Sequence, residues 1–196
     1  KKSVLKSYNG QIQPENTVLL QESLTLDDLP APYRVQQDGL TLVSVGKIMQ
    51  SLEGCACPIG FLSRQFLRRL ALDGDQVALV DTEAGVEHFG RGVEEGADAI
   101  LVVVEPSYDA IALAAQVQAM AQQVGLPGAL AVINKAPDET LAQLLRDRLS
   151  SEGLRVVGCI GYDPLVLQAG LEGRPLLGAQ AARDAAQLAA QLLQEA

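Results

Sequence analysis

From residue 41 onward, short runs of apolar, mostly β-branched residues alternate with longer segments whose apolar residues recur at helical spacing. A strand that is apolar on consecutive positions is buried on both faces, which is typical of a parallel sheet covered by helices. The alternation therefore predicts an α/β fold with a mostly parallel sheet and helices on both faces. The predicted strands cover residues 41–45, 76–81, 100–105, 130–134 and 155–160.

Apolar stripes at helical spacing predict the helices between these strands. They are formed by Leu62, Phe66 and Leu70, by a second set from Ile111 to Val124, and by Leu141, Leu145 and Leu149. Ser107 is a typical helix start, and Gly125 and Gly153 lie where helices would end. A last helix is predicted over residues 181–193. We expect a single α/β domain over residues 1–196, with loop and short helix over 1–40 and the core over 41–196.

Composition excludes several classes of partner. The net charge is −9 and the 15 Lys and Arg residues are scattered, so we expect no nucleic acid partner. No stretch approaches the roughly 20 apolar residues that a membrane helix needs, and no secretion signal is visible, so we expect a cytoplasmic protein without a membrane partner. Cys55 and Cys57 are too close in sequence for an easy mutual disulfide, which favours a reducing compartment.

The sharpest local motif is the run from Glu53 to Pro58, where Cys55 and Cys57 stand between turn-forming residues just before a predicted helix. A helix N-terminus lowers the pKa of a thiol, and thiolates are ligands that soft metals prefer. Two sulfurs are half of a tetrahedral site, and a two-fold dimer would supply four. The alternative is an incidental, redox-inert pair. Cys159, inside an apolar run, is predicted to be a small core residue.

Asp81 ends a predicted buried strand and is followed by a loop that contains Gly85. Ligands of open α/β sheets bind at such strand ends. The aspartate could hold Mg²⁺ through water, and the glycine would let the loop backbone approach a γ-phosphate. The alternative is a solvated acidic loop. His88, the single histidine, is more typical of a hydrogen-bonded loop residue than of a ligand.

Asn134 and Lys135 end another predicted buried strand, and Gly161 and Asp163 follow a third. The asparagine amide both donates and accepts hydrogen bonds, which suits the edge of a purine base. We expect the strands that end near Asp81, Glu105 and Asn134 to be parallel, with these ends on one edge of the sheet. An Asn-Lys turn after a strand is also an ordinary feature without a ligand.

In chain order, these motifs resemble the MinD/ParA/CooC group of deviant P-loop ATPases. Residues 81–85 resemble the switch II and Walker B loop of the group, and Asn134-Lys135 resembles its adenine-contacting element. Residues 161–177 resemble its strand-turn-helix segment, which ends in Gly173-Arg174-Pro175-Leu176. Within the group, the Cys55-x-Cys57 pair and residues 83–91 are similar to the CooC type, the accessory ATPases for nickel insertion into carbon monoxide dehydrogenase.

The resemblance implies a homodimer that binds ATP and Mg²⁺ and delivers a metal to a client enzyme such as carbon monoxide dehydrogenase. It implies that Asp81 holds Mg²⁺ through water, that the loop at Gly85 senses the γ-phosphate and that Asn134 contacts adenine. Three further residues would lie beside the nucleotide: Lys135, Gly161 and Asp163. It also implies that Cys55 and Cys57 of two subunits share one Ni²⁺ or Zn²⁺ ion.

The sequence departs from this group at its beginning. Residues 1–40 contain neither the Gly-rich phosphate loop nor a switch I aspartate, and Lys47 lacks the preceding glycines that form an anion-binding nest. The chain reads as the remainder of a longer protein, and we expect it to hydrolyse no ATP alone, because the phosphates lack a cradle. Two other functions stay open: a non-catalytic metal carrier or interaction module, and a partition or division-site ATPase.

Overall fold

The computed structural model describes residues 22–45, 57–82, 85–86, 89, 92, 96–176 and 178–195. The chain divides into two compact units, Lys1–Ala97 and Asp98–Ala196. None of the helices in the described part is both long and apolar enough to cross a bilayer.

The first unit contains a β-hairpin. Strand β1, Arg34–Gln37, pairs antiparallel with strand β2, Leu40–Val43. Asp38 and Gly39 between them both have positive φ, 49° and 80°, as the favoured two-residue hairpin turn requires. The predicted strand over 41–45 is therefore a hairpin strand rather than a member of the parallel sheet. Its partner β1 lies in the segment predicted as loop and short helix, where two 3₁₀ turns, Leu26–Asp28 and Ala31–Tyr33, also occur.

A small hydrophobic core holds this unit together. Helix α1, Cys57–Leu67, places Phe66 against the fully buried Leu24. The Leu24 backbone exchanges hydrogen bonds of 2.7 Å with Arg69 and Ala71, which fixes the chain beside the end of the helix. The predicted apolar stripe Leu62, Phe66 and Leu70 packs in this core.

Residues 76–81, which we predict as a buried parallel strand, have no strand pairing with any described residue. Val77 is 57% exposed and Leu79 is 87% exposed, so the apolar run is not covered either. A strand is defined by hydrogen bonds to a neighbour, and an apolar run without such a neighbour forms none. This prediction was wrong for the chain as the structure describes it.

The second unit is an α/β layer structure whose parallel sheet has the strand order β3-β4-β5. The strands are β3, Ile100–Val104, β4, Ala129–Ala136, and β5, Arg155–Gly161, and they confirm the predicted strands over 100–105, 130–134 and 155–160. Val104 pairs with Ile133, which in turn pairs with Cys159. The fold class is therefore as predicted, a parallel sheet flanked by helices in the manner of P-loop nucleotide-binding proteins.

The helices of this unit are α2, Tyr108–Gln123, α3, Glu139–Ser151, α4, Pro164–Glu172, and α5, Gln180–Glu195. Two of the four, α2 and α3, follow predicted stripes, and α5 matches the predicted last helix to within two residues at each end. Ser107 caps α2 by accepting a hydrogen bond from the Ala110 amide at 3.1 Å. Gly125 and Gly153 follow α2 and α3 with φ of 89° and 79°, a conformation that favours glycine. The helices α2 and α3 bury small and branched residues on the sheet: Ala114, Val117, Ala121, Ala142, Leu145 and Leu149.

Candidate functional site

The carboxyl ends of β3, β4 and β5 lie at one edge of the second unit's sheet. Glu105 directly follows β3, Asn134 and Lys135 lie near the end of β4, and Gly161 ends β5. Polar residues at this edge are well placed for a ligand, because the loops that follow parallel strands open a crevice there. The ends near Glu105 and Asn134 lie on one edge as predicted, whereas Asp81 ends no described strand, so that part of the prediction was wrong.

Lys135 has an unusual backbone conformation at this edge. Its φ is +58°, one of two positive values at non-glycine residues among those described. The β4–β5 pairing shifts register here, since Asn134 pairs with Ile160 and Ala136 with Gly161, which leaves Lys135 outside the ladder. The Lys135 ammonium forms an ion pair of 2.6 Å with Glu105, and both side chains are about half exposed, 55% and 51%. This bulge redirects the chain where a ligand would bind.

Asn134 lies between the buried Ile133 and this bulge. The residue is half-buried, and its side-chain amide has no hydrogen-bond partner among the residues that the structure describes. Neither polar atom of this amide is fully enclosed by protein, so water can reach it and a ligand could replace that water. A donor and an acceptor are therefore available to a ligand at the end of β4.

Asp163 has a structural role at the end of β5. Its Oδ1 accepts a hydrogen bond from the Leu165 amide at 2.9 Å, and its Oδ2 accepts one from the Ala181 amide at 3.1 Å. One carboxylate thus caps the N-termini of both α4 and α5. The hydrogen bonds from Ala181 and from Leu165 lower the pKa of this carboxyl below its ordinary value of 3.8. Its predicted place beside a nucleotide stays a prediction.

The neighbouring backbone is tied to the same corner. The Gly161 amide donates to Asp184 Oδ2 at 3.4 Å, and the Tyr162 amide donates to the Ala136 carbonyl at 2.8 Å. These contacts fix the end of β5 against β4 and α5. Gly161, predicted to lie beside a nucleotide, is thereby held rigidly at the carboxyl edge.

Asp81 and Gly85 belong to the first unit. The Asp81 residue is exposed, and its carboxylate contacts no partner within the described part of the chain. Gly85 has φ of 115°, a conformation that side chains with a Cβ rarely adopt, so a glycine is required there. Phe89 is buried, 7% exposed, and its amide donates to the Val86 carbonyl at 3.1 Å. Asp81 and a glycine with positive φ thus lie four residues apart in sequence.

The cysteine motif lies mostly outside the described residues. Cys55 and His88 are not among them, and Cys57 is the first residue of α1, whereas the prediction placed both cysteines before the helix. Within the described ranges no group of three or more His, Cys, Asp or Glu side chains has a metal-binding arrangement. Cys159 is half-buried in β5, and burial is the main cause that raises the pKa of its thiol.

Sequence reasoning missed several side-chain partners that organise the sheet of the second unit. It located Glu105 at a strand end but did not foresee its ion pair with Lys135, and it gave no role to Asp184 or to Gln118. The Gln118 side chain accepts a hydrogen bond from the Ala129 amide at 2.6 Å and donates one to the Gly153 carbonyl at 2.9 Å. The capping role of Asp163 could have been predicted from the Asp163-Pro164 pair, because proline is common in the first turn of a helix, directly after the capping residue.

The chain matches no protein-family profile. It is 35% identical over 176 residues to the uncharacterized ATP-binding protein MJ0084 of Methanocaldococcus jannaschii. The aligned region covers 90% of this chain and 69% of MJ0084. The chain belongs to a family of ATP-binding proteins. The uncharacterized ATP-binding protein MJ0823 of the same organism is 35% identical over 81% of the chain and 62% of its own length.

Another similar protein carries a functional name. The carbon monoxide dehydrogenase accessory protein CooC of Rhodospirillum rubrum is 32% identical over 148 residues, 76% of this chain. The chain spans 56% of the length of CooC and 62% of the length of MJ0823. The chain is thus similar both to proteins named for ATP binding and to one named as an accessory protein of carbon monoxide dehydrogenase.

Proposed function

We propose that this chain provides the base-binding edge and the switch loop of an ATP-dependent accessory protein for metallocentre assembly. The observation that carries the proposal is the half-buried, unpartnered Asn134 amide at the end of β4, in a chain 35% identical to a protein named for ATP binding. An adenine edge offers a donor and an acceptor, which match those of the asparagine amide.

The remaining roles follow from position and chemistry. Lys135 and Gly161 border the base at the carboxyl edge of the sheet, while Asp163 holds the two helix ends that frame it. Asp81, with its exposed carboxylate, would hold Mg²⁺ through water, and Gly85 lets the following backbone approach the γ-phosphate. ATP supplies the free energy of the cycle when it is bound.

The metal is the cargo in this proposal. Similarity to a carbon monoxide dehydrogenase accessory protein supports a client metalloenzyme of that kind, with nickel as the delivered metal. Cys55 and Cys57 of two copies would complete a four-thiolate site for Ni²⁺ or Zn²⁺, because one copy offers only two sulfurs. The protein would therefore act as a homodimer, with metal binding and dimerisation as one linked equilibrium.

Nucleotide titration of Asn134→Ala in the longest form of the protein that the gene encodes tests the base site. We expect ATP affinity to fall by about tenfold, because the polar edge of the base would lose its hydrogen-bond partner. Gln143→Ala is the matched control, since it removes an exposed amide from the same unit and should leave ATP affinity unchanged. Equal affinities in the wild type and Asn134→Ala would contradict the site. If no form bound nucleotide at all, a non-catalytic metal carrier would be favoured instead.

Equilibrium sedimentation with Zn²⁺ or Ni²⁺ under reducing conditions tests the shared metal site. We expect metal to promote dimers with one ion per two chains, chelator to reverse this, and Cys55→Ser/Cys57→Ser to abolish it. One metal per monomer without a change in mass, or binding that persists in the double variant, would contradict the shared site.

A further inference from the structure

The Glu105–Lys135 ion pair joins two neighbouring strand ends beside the predicted base-binding residue. Lys135 follows Asn134 directly and lies in the left-handed region, which is disfavoured for a residue with a Cβ. Such conformations persist where the surroundings over-determine them, and they cluster at binding sites. The contact between the Lys135 ammonium and Glu105, at 2.6 Å, is the side-chain interaction that engages this residue.

The backbone on either side of Lys135 is fixed independently. Asn134 and Ala136 pair with Ile160 and Gly161, and the Ala136 carbonyl accepts the Tyr162 amide at 2.8 Å. Lys135 lies outside the ladder between these two paired residues, and its side chain forms the ion pair with Glu105. A change in its torsion angles would rotate the peptide that carries Asn134.

We propose that Glu105 is a positioning residue for nucleotide recognition: by pairing with Lys135 it holds the left-handed bulge that sets the direction of the Asn134 amide. This inference rests on the proposed function, since it requires that Asn134 contacts the base. The pair ties the loop between β3 and α2 to the end of β4, so the two strand ends present one rigid edge to the base. An exposed ion pair of this kind adds little to folding stability, so its effect should appear in binding instead.

Titration of ATP and of inorganic tripolyphosphate into the longest form of the protein tests the proposal. We expect Glu105→Gln to weaken ATP binding about two- to fivefold, the range of an exposed ion pair, with an unchanged melting temperature. Tripolyphosphate affinity should not change, because that ligand has no base.

A second background isolates the route through Lys135. Glycine adopts the left-handed conformation without help, so Glu105→Gln should have no further effect on ATP affinity in a Lys135→Gly background. An equal loss in both backgrounds, an equal loss for tripolyphosphate, or unchanged ATP affinity in Glu105→Gln would overturn the proposal. If Asn134→Ala weakens ATP binding while Glu105→Gln does not, the positioning role fails and the base site stands. If neither variant weakens binding, both fail.

Discussion

The side chain of Gln118 in α2 connects the starts of two strands that carry the candidate site at their far ends. Its Oε1 accepts the Ala129 amide at 2.6 Å, and its Nε2 donates to the Gly153 carbonyl at 2.9 Å. Ala129 is 2% exposed, so water cannot replace Gln118 at its amide, whereas the hydrogen bond to Gly153 is exposed. Gln118→Met, similar in length but without these polar atoms, should therefore lower the free energy of unfolding by about 1–3 kcal/mol, the cost of one buried orphan donor.

Gln118→Glu is the matched control, because it keeps an acceptor for the Ala129 amide and loses only the exposed donor. We expect it to cost less than about 1 kcal/mol at neutral pH. Urea unfolding followed by circular dichroism, with linear extrapolation to water, measures both variants. A Gln118→Met variant as stable as the wild type, or a Gln118→Glu variant less stable than Gln118→Met, would refute this reasoning.

Two further predictions concern the corner around β5. Because hydrogen bonds lower the pKa of Asp163 below 3.8, its contribution to stability is fully present above that pH and is lost as the pH falls through the folded-state pKa. Asp163→Asn should therefore melt at a lower temperature than the wild type at pH 7, with a difference that shrinks in strong acid; a constant difference at every pH would contradict the capping role. A Cβ at Gly158 would lie 2.8 Å from Leu188 Cδ1, the end of a side chain that can shift, so Gly158→Ala should cost less than about 1 kcal/mol in urea unfolding. In a Leu188→Ala background the same substitution should cost less, and equal costs in the two backgrounds would argue against that contact.

The sheet of the second unit could be predicted because its strands are continuous apolar runs between helices with clear stripes. Glycines at 125 and 153 mark the helix ends, and each adopts the positive φ that the pattern implies. The local conformational preferences of these residues agree with the fold that they adopt, and sequence patterns are informative where the two agree.

The first unit was harder to predict for two different physical reasons. Strand β1 is a four-residue segment with two glutamines, and its signal was the Asp38-Gly39 turn, which is typical of a hairpin. Residues 76–81 have the composition of a buried strand, but pairing depends on a neighbour that no local pattern specifies.

The candidate site could be located from sequence but its internal contacts could not. Asn134 was placed at a strand end by pattern, whereas the left-handed Lys135 is unusual for its residue type and had no signal. The Glu105–Lys135 pair joins residues on different strands, which only the register of β3 and β4 brings together.

Photo-crosslinking tests the central claim most directly, that the carboxyl edge of the second unit binds the adenine base. The longest form of the protein would be irradiated with 8-azido-ATP, digested, and mapped by mass spectrometry, with unlabelled ATP as competitor. Label should lie in residues 134–138 or 161–165, disappear with excess ATP, and fall in Asn134→Ala. Label confined to other peptides, or label in these peptides that excess ATP does not remove, would contradict the account.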